Sequence, residues 1–242
     1  MSTPPASDGS DDKPSRRKAS IDELQDIGLP EILLESLGNS LSLLRLARYG
    51  PGETIYRESS VVEALYLVLD GRIKLMNYTP DGNARIVRLH DRGSVLGLNA
   101  LLNEKHDHTA IAIGEVSLYV LPMQAIGGIR NEDPEAYSRL LEYSHEYLKQ
   151  ADTWIVEFTA GGIRGRVARL VLFLMSQDES TGSREVDLLT VNEMAEILGV
   201  TPESVSRTMA DFKRKNILSP VDDDRPDLCR CDRAALTREA QS

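Results

Sequence analysis

Between Ile21 and about Leu46, apolar residues recur at helical spacing: Leu24, Ile27, Leu33, Leu37, Leu41 and Leu44. Breaks fall at Gly28-Leu29-Pro30 and Gly38-Asn39. Short helices packed on the adjoining segment are predicted. Ahead of them, residues 1–20 are dominated by Ser, Pro, Gly and charge, with little to bury, and are expected to form a disordered tail. From Tyr49 to Pro122 the period falls to two, as in Leu65-Tyr66-Leu67-Val68-Leu69 and Arg85-Ile86-Val87-Arg88-Leu89. Turn signals stand at Gly50-Pro51-Gly52, Asp70-Gly71, Asp81-Gly82 and Arg92-Gly93. Asp-Gly between alternating segments suits a two-residue hairpin turn, whose positions need positive φ. An antiparallel roll or barrel is therefore expected, with room inside for one small ligand.

After Pro134, the residues Tyr137, Leu141, Ser144, Leu148, Ala151, Ile155 and Phe158 are separated alternately by four and three positions. Such a run is either the seam of a two-stranded coiled coil or one face of a helix packed on its own domain. Gly161-Gly162 ends it and supplies a hinge. A further helix is signalled from Ile163 to Ser176 by Val167, Leu170, Val171 and Leu174. A polar stretch from Gln177 to Glu185 comes next. Thr190-Val191-Asn192-Glu193 is then a capping box, opening a helix that runs to about Leu198. Gly199 supplies a tight turn, Thr201 is placed to cap a second helix, and Pro202 falls at its first position, where a missing N–H costs nothing.

Two short helices joined by a Gly-containing turn form a helix-turn-helix unit. In the second helix Val205, Met209 and Phe212 share an inward face, leaving Glu203, Ser206 and Arg207 outward near its start. Arg can donate two bonds to guanine, Glu can accept from cytosine N4, and Ser can serve several base edges. Thr190, Thr201, Ser204 and Lys213 are the expected DNA-backbone contacts. A solvated helix face satisfies the same pattern in proteins that never meet nucleic acid.

Charge complicates the picture. The chain of 242 residues has a formal net charge of −10, against what a phosphate-binding protein needs. From Gly161 to Ser242, however, 12 Lys and Arg face 14 Asp and Glu, and Arg207, Lys213, Arg214 and Lys215 make one stretch locally basic. The charge of the docking face decides, not the total. With 41% hydrophobic residues the chain can bury a sizeable core, and its two cysteines are too few to staple it, which fits a reducing, cytoplasmic setting. Neither a signal sequence nor a membrane anchor is expected. The sequence lacks a nucleophile–base set, a Gly-rich phosphate loop and a metal-ligand cluster, so an enzyme is not expected. Cys229 and Cys231 would share one face of a strand, as plain reduced thiols or with a metal or redox role.

The order of roll, heptad helix and helix-turn-helix, with Pro51-Gly52-Glu53 in the roll and Val200-Thr201-Pro202-Glu203-Ser204-Val205-Ser206-Arg207 near the end, resembles the Crp/Fnr family of transcription regulators. The resemblance covers roughly Leu46 to Leu218. It implies that Glu203, Ser206 and Arg207 read the operator. Ser206 is similar to the Fnr-type branch, implying a palindrome of TTGAT-like half-sites. It also implies a wing hairpin over Ile217 to Cys231, turning within Asp222-Asp223-Asp224-Arg225-Pro226-Asp227. Acidic residues there would repel phosphates, so the wing either tilts from DNA or meets another protein, such as RNA polymerase.

The expected fold class is α+β: an N-terminal antiparallel β-roll like a cyclic-nucleotide-binding domain, a long dimerisation helix and a C-terminal winged helix-turn-helix. The boundaries are 1–20 for the tail, 21–130 for the N-terminal helices and roll, 131–160 for the dimerisation helix and 161–242 for the DNA-binding domain. Leu141, Leu148, Ala151, Ile155 and Phe158 are the expected homodimer seam. By the resemblance, the effector segment is Gly97-Leu98-Asn99 through His108-Thr109. Leu98 stands where nucleotide binders carry the ribose-binding carboxylate and His108 where they carry the phosphate-binding Arg, while Ala151 and Asp152 replace purine-contacting hydroxyls. Cyclic AMP is disfavoured on these grounds. An iron-sulfur cluster is disfavoured because only Cys229 and Cys231 are present, far from the sensor. Haem, with nitric oxide sensing, stays open, because His90, His106, His108 and His145 could supply an axial ligand. A module of the same fold that has lost DNA binding is the rival reading.

Overall fold

The computed structural model describes residues 21–26, 34–35, 38–79, 82–98, 101, 104–177, 185–222, 224–225 and 227–241. The expected tail at 1–20 lies outside these residues, as do Ile27, Gly28-Leu29-Pro30, Leu33, Leu37, Asp81, Asn99, Asp223 and Pro226. The side chains of residues 146–152, including those of Leu148, Ala151 and Asp152, also lie outside.

A helix α1 (Ile21–Asp26) and a 3₁₀ turn (Gly38–Leu43) precede the roll. Among the described residues the roll has six strands: β1 (Arg45–Tyr49), β2 (Thr54–Tyr56), β3 (Ala64–Tyr78), β4 (Ala84–His90), β5 (Val95–Leu96) and β6 (Thr109–Pro122). The pairing is antiparallel in the order β1-β6-β3-β4, with β2 also on β6 and β5 also on β3. Alternation along β3 explains the layers. Leu65, Leu67 and Leu69 pack towards the flanking helices, while Tyr66 and Val68 point to the roll interior with Leu75, Ala110 and Leu118.

The Asp70-Gly71 dipeptide is not a hairpin turn. β3 runs straight through it, and the register against β6 shifts between Val68 and Asp70 and again between Asp70 and Arg72. Gly71 takes φ +88, and a Cβ there would strike the Glu115 carbonyl, so the glycine serves a bulge that bends a long strand. The β3–β4 hairpin closes later, where the Thr79 N–H donates to the Asn83 carbonyl and Gly82 takes φ +80.

Helix α2 (Met123–Glu132) leads to the long helix α3 (Pro134–Thr159), capped by the Asp133 carboxylate at the Ala136 N–H. Helix α4 (Ile163–Gln177) comes after the Gly161 turn. A three-stranded sheet of β7 (Glu185–Asp187), β8 (Leu218–Pro220) and β9 (Leu228–Cys231), in the order β7-β9-β8, flanks helices α5 (Val191–Leu198) and α6 (Pro202–Arg214). Helix α7 (Arg233–Ala240) packs on α4. Neither β7 nor α7 was expected from the sequence. β7 is three residues long, and α7 has only two buried positions, Ala235 and Leu236, to mark a face.

The expected seam on α3 is corrected at one end. Phe158 is 2% exposed within its own chain, edge-on to Trp154 and Phe173, because α4 folds back against the last turns of α3. Tyr137 is likewise engaged, donating its hydroxyl to the Leu101 carbonyl. Leu141, Ile155 and Val156 remain exposed.

Candidate DNA-reading head and effector pocket

The reading head begins with the capping box of α5. The Thr190 hydroxyl oxygen accepts from the Glu193 N–H at 3.3 Å, and the Glu193 carboxylate accepts from the Thr190 N–H at 3.2 Å. The second carboxylate oxygen accepts from Lys74 Nζ of the roll at 3.0 Å. Burial alone would raise the Glu193 carboxyl, but the Lys74 ammonium and the Thr190 bonds outweigh it and hold it below its ordinary range. Gly199 then turns the chain in the left-handed region, φ +63, and Pro202 opens α6 as expected.

Thr201 holds the cap position of α6 but makes no side-chain cap bond. Its hydroxyl lies 3.1 Å from that of Ser204 and is also bonded to the Glu203 carboxylate. Val205 and Phe212 are fully buried and Met209 nearly so, and they fasten the helix to its domain. Glu203, Ser206 and Arg207 emerge together on the exposed side of its first two turns. Bonds from its own N–H and from Thr201 hold the Glu203 carboxyl low, so it is an acceptor at neutral pH. Arg207 is held by a 3.4 Å contact from Nε to the Glu203 carbonyl.

The basic stretch is less available than its composition suggests. Arg214 and Lys215 are both drawn to Asp211, which Arg164 also holds from α4. These bonds, Arg164's foremost, press the Asp211 carboxyl far below its ordinary value. Arg164 in turn grips Glu239 of α7. Thr190, Thr201 and Lys213 are exposed and Ser204 is half-buried.

On the wing, Arg225 pairs with Asp187 and Arg230 with Glu185, each at 3.0 Å, while the Asp222 carboxylate accepts from the Asp224 N–H. Cys229 and Cys231 both point into the core, and burial pushes the Cys231 thiol up to about 12. No group of three or more metal-ligating side chains occurs among the described residues.

Inside the roll is a pocket of about 320 Å³. Gly97, Leu98 and His108 line it as expected. Thr109 does not; it is buried beside the pocket, where its hydroxyl accepts from the Glu58 N–H at 3.1 Å. Other lining residues are Arg88 and His90 of β4, Ser144 of α3, and His106 stacked on Tyr56 with ring centroids 3.6 Å apart. His145 is exposed elsewhere. Burial drives the His90 imidazole down to about 3, helped by Arg88 and His108, so it is neutral at pH 7. Arg88 was missed by the sequence reading. Its signal was its place two residues before His90 on one strand. Arg88 and His90 also line a second cavity, of about 720 Å³, between the turn after β4, the end of α3 with Trp154 and Phe158, and Arg169 and Phe173 of α4.

The family described as Cyclic nucleotide-binding domain matches residues 46–133, the roll and α2, and the Crp-like helix-turn-helix domain matches residues 165–239. The two occur in the order of the geometry just described and together cover two thirds of the chain. The chain belongs to the Crp/Fnr family of transcription regulators. As a Crp/Fnr regulator it is a DNA-binding protein, and its relatives are regulators, not enzymes. It is 29% identical over 183 residues to the nitrogen fixation regulation protein FixK of Bradyrhizobium diazoefficiens, covering 73% of this chain and 75% of that one. It is 28% identical over 199 residues to the transcriptional regulator LdrP of Thermus thermophilus, covering 81% and 97%. Its fold matches the crystal structure of TTHB099, a CRP-family transcriptional regulator of Thermus thermophilus, with TM-score 0.68 and 27% identity over 81% of this chain and 97% of that one. No helix among the described residues of this Crp/Fnr regulator is long and apolar enough to cross a membrane.

Proposed function

We propose that this Crp/Fnr regulator acts as a homodimer on a palindrome of TTGAT-like half-sites, read by Glu203, Ser206 and Arg207 and controlled by a small effector in the roll pocket. The observation that carries the reading is the joint exposure of those three side chains on the first two turns of α6, over a face anchored by Val205, Met209 and Phe212. Leu141, Ile155 and Val156 on α3 support the dimer. Thr190, Thr201, Ser204 and Lys213 surround the reading set as phosphate contacts, and RNA polymerase is the further partner. Such a protein works where the chromosome is, in the cytoplasm.

The pocket favours a compact effector. At about 320 Å³ it stands at the small end of ligand sites and is too small for a porphyrin. Leu98 and His108 stand where nucleotide binders carry the ribose-binding carboxylate and the phosphate-binding Arg, which speaks against cyclic AMP held in that way; Arg88 and Glu104 place a guanidinium and a carboxylate elsewhere in the lining. A fluorescence-anisotropy titration of the full chain against a TTGAT palindrome and a scrambled duplex, at one fixed salt concentration, tests the operator. Selective binding supports the reading. Equal binding to both, with or without small-molecule extracts, would count for a module that has lost DNA recognition.

A further inference from the structure

Strand β4 meets two different neighbours. Leu75 faces Arg88 across the β3–β4 ladder, but Met76 faces Ile86, so Val87 is an extra residue in a β-bulge. Without it, Ile86 and Leu89, three positions apart, would lie on opposite faces of the sheet. With it, Ile86 and Leu89 share the outer face, while Val87 packs with the roll interior and Arg88 and His90 line the pocket.

The outer face is not solvated. Met76, Ile86 and Leu89 belong to the same buried cluster as Met194, Ala195, Ile197 and Leu198 of α5, and β4 and α5 are in contact. Ions close the edges of this contact. Lys74, opposite Leu89 in the ladder, reaches Glu193 at 3.0 Å with both side chains less than a fifth exposed. The Arg85 guanidinium lies against Gly199, in the space a Cβ would take.

We propose that the outer face of the β3–β4 hairpin is a built seat for the reading head, through which occupancy of the roll pocket reaches α5 within a single subunit. The proposal rests on the reading that the roll pocket takes the effector. A displacement of Arg88 or His90 by a ligand moves a strand whose opposite side chains, Ile86 and Leu89, are locked into α5. Packed interfaces of this kind shift as units because their side chains interdigitate. Lys74 is then a positioning residue: it fixes the first helix of the head through Glu193 and touches no DNA itself. Glu203, Ser206 and Arg207 stay exposed in this arrangement, so the seat orients the head and does not cover it.

Linkage makes the coupling measurable from the DNA end, without knowing the effector. Hydrogen exchange of the full chain is followed with and without the TTGAT palindrome, comparing the wild type with Lys74→Met and Lys74→Arg. The duplex is expected to slow exchange across residues 84–98 about twofold or more in the wild type and in Lys74→Arg, and by less than half of that in Lys74→Met. A wild type that binds the duplex selectively with no change at 84–98 overturns the proposal. Should no duplex be bound selectively, the operator reading fails alone, and the DNA-free samples decide. There Lys74→Met must speed exchange in both 191–198 and 84–98 for the seat to stand. A change confined to 191–198 would overturn it.

Discussion

At the scale of single residues, the reading set and the pocket set make opposite electrostatic demands. Glu203 and Arg207 stand exposed to water, whereas His90 is enclosed and stays neutral. Arg207→Ala should cost about 1 to 3 kcal/mol of affinity for the palindrome and leave the scrambled duplex nearly unchanged. Anisotropy on both duplexes checks this, and equal losses would make Arg207 a phosphate contact. For His90 the sign comes from linkage. Its folded-state pKa lies below the unfolded value, so between about 6.5 and 3 the unfolded chain binds the extra proton and stability falls as pH falls. Urea unfolding at pH 6.5 and 5.0 should show a loss of about 1 to 2 kcal/mol from this one group, removed in His90→Gln. His106 and His108, also lowered by burial, add to the wild-type slope in the same direction. The shared exposure of Glu203, Ser206 and Arg207 was legible in the sequence because a helix face can be read from spacing alone. Arg88 and Thr109 were not, since pocket lining depends on which strand lies opposite.

Among elements, those with strong local signals came out where the sequence put them. The capping box at Thr190, the turn at Gly199 and the Pro202 start each impose a backbone conformation that few neighbours can override. Thr190→Ala should lower stability by about 1 kcal/mol, seen as a lower Tm of the winged domain, with no change in far-UV dichroism below the transition. The β4 segment shows the limit of pattern reading. Arg85-Ile86-Val87-Arg88-Leu89 looks like a half-buried strand of period two, and nothing local announces the bulge at Val87, which is defined by the partner strand. Asp70-Gly71 failed for a related reason: its positive φ was needed, but for a close approach to Glu115 and not for a chain reversal. Deleting Val87 should expel either the pocket pair or the seat pair from its face. The expected result is a soluble roll with a released head, detected as protease sensitivity near Gly161.

For the whole molecule, the fold order was legible because each stretch has its own period, while the contact between stretches was not. The heptad pattern on α3 mixed two jobs. Phe158 closes the junction with α4, whereas Ile155 and Val156, at 57% and 64% exposed, face outward. The double substitution Ile155→Asp with Val156→Asp should give monomers by light scattering, keep the fold, and lose most affinity for the palindrome while binding single half-sites weakly. The buried seat between β4 and α5 also bears on how such regulators can be recombined. Gly161 looks like a natural joint at which to fuse the sensor of one protein to the DNA reader of another. A graft made there would leave Met76, Ile86 and Leu89 facing a foreign helix, or water. Interchangeable sensors for this reader therefore have to bring with them a hairpin whose outer surface matches α5, and a workable exchange boundary divides the β3–β4 hairpin by surface rather than the chain by position.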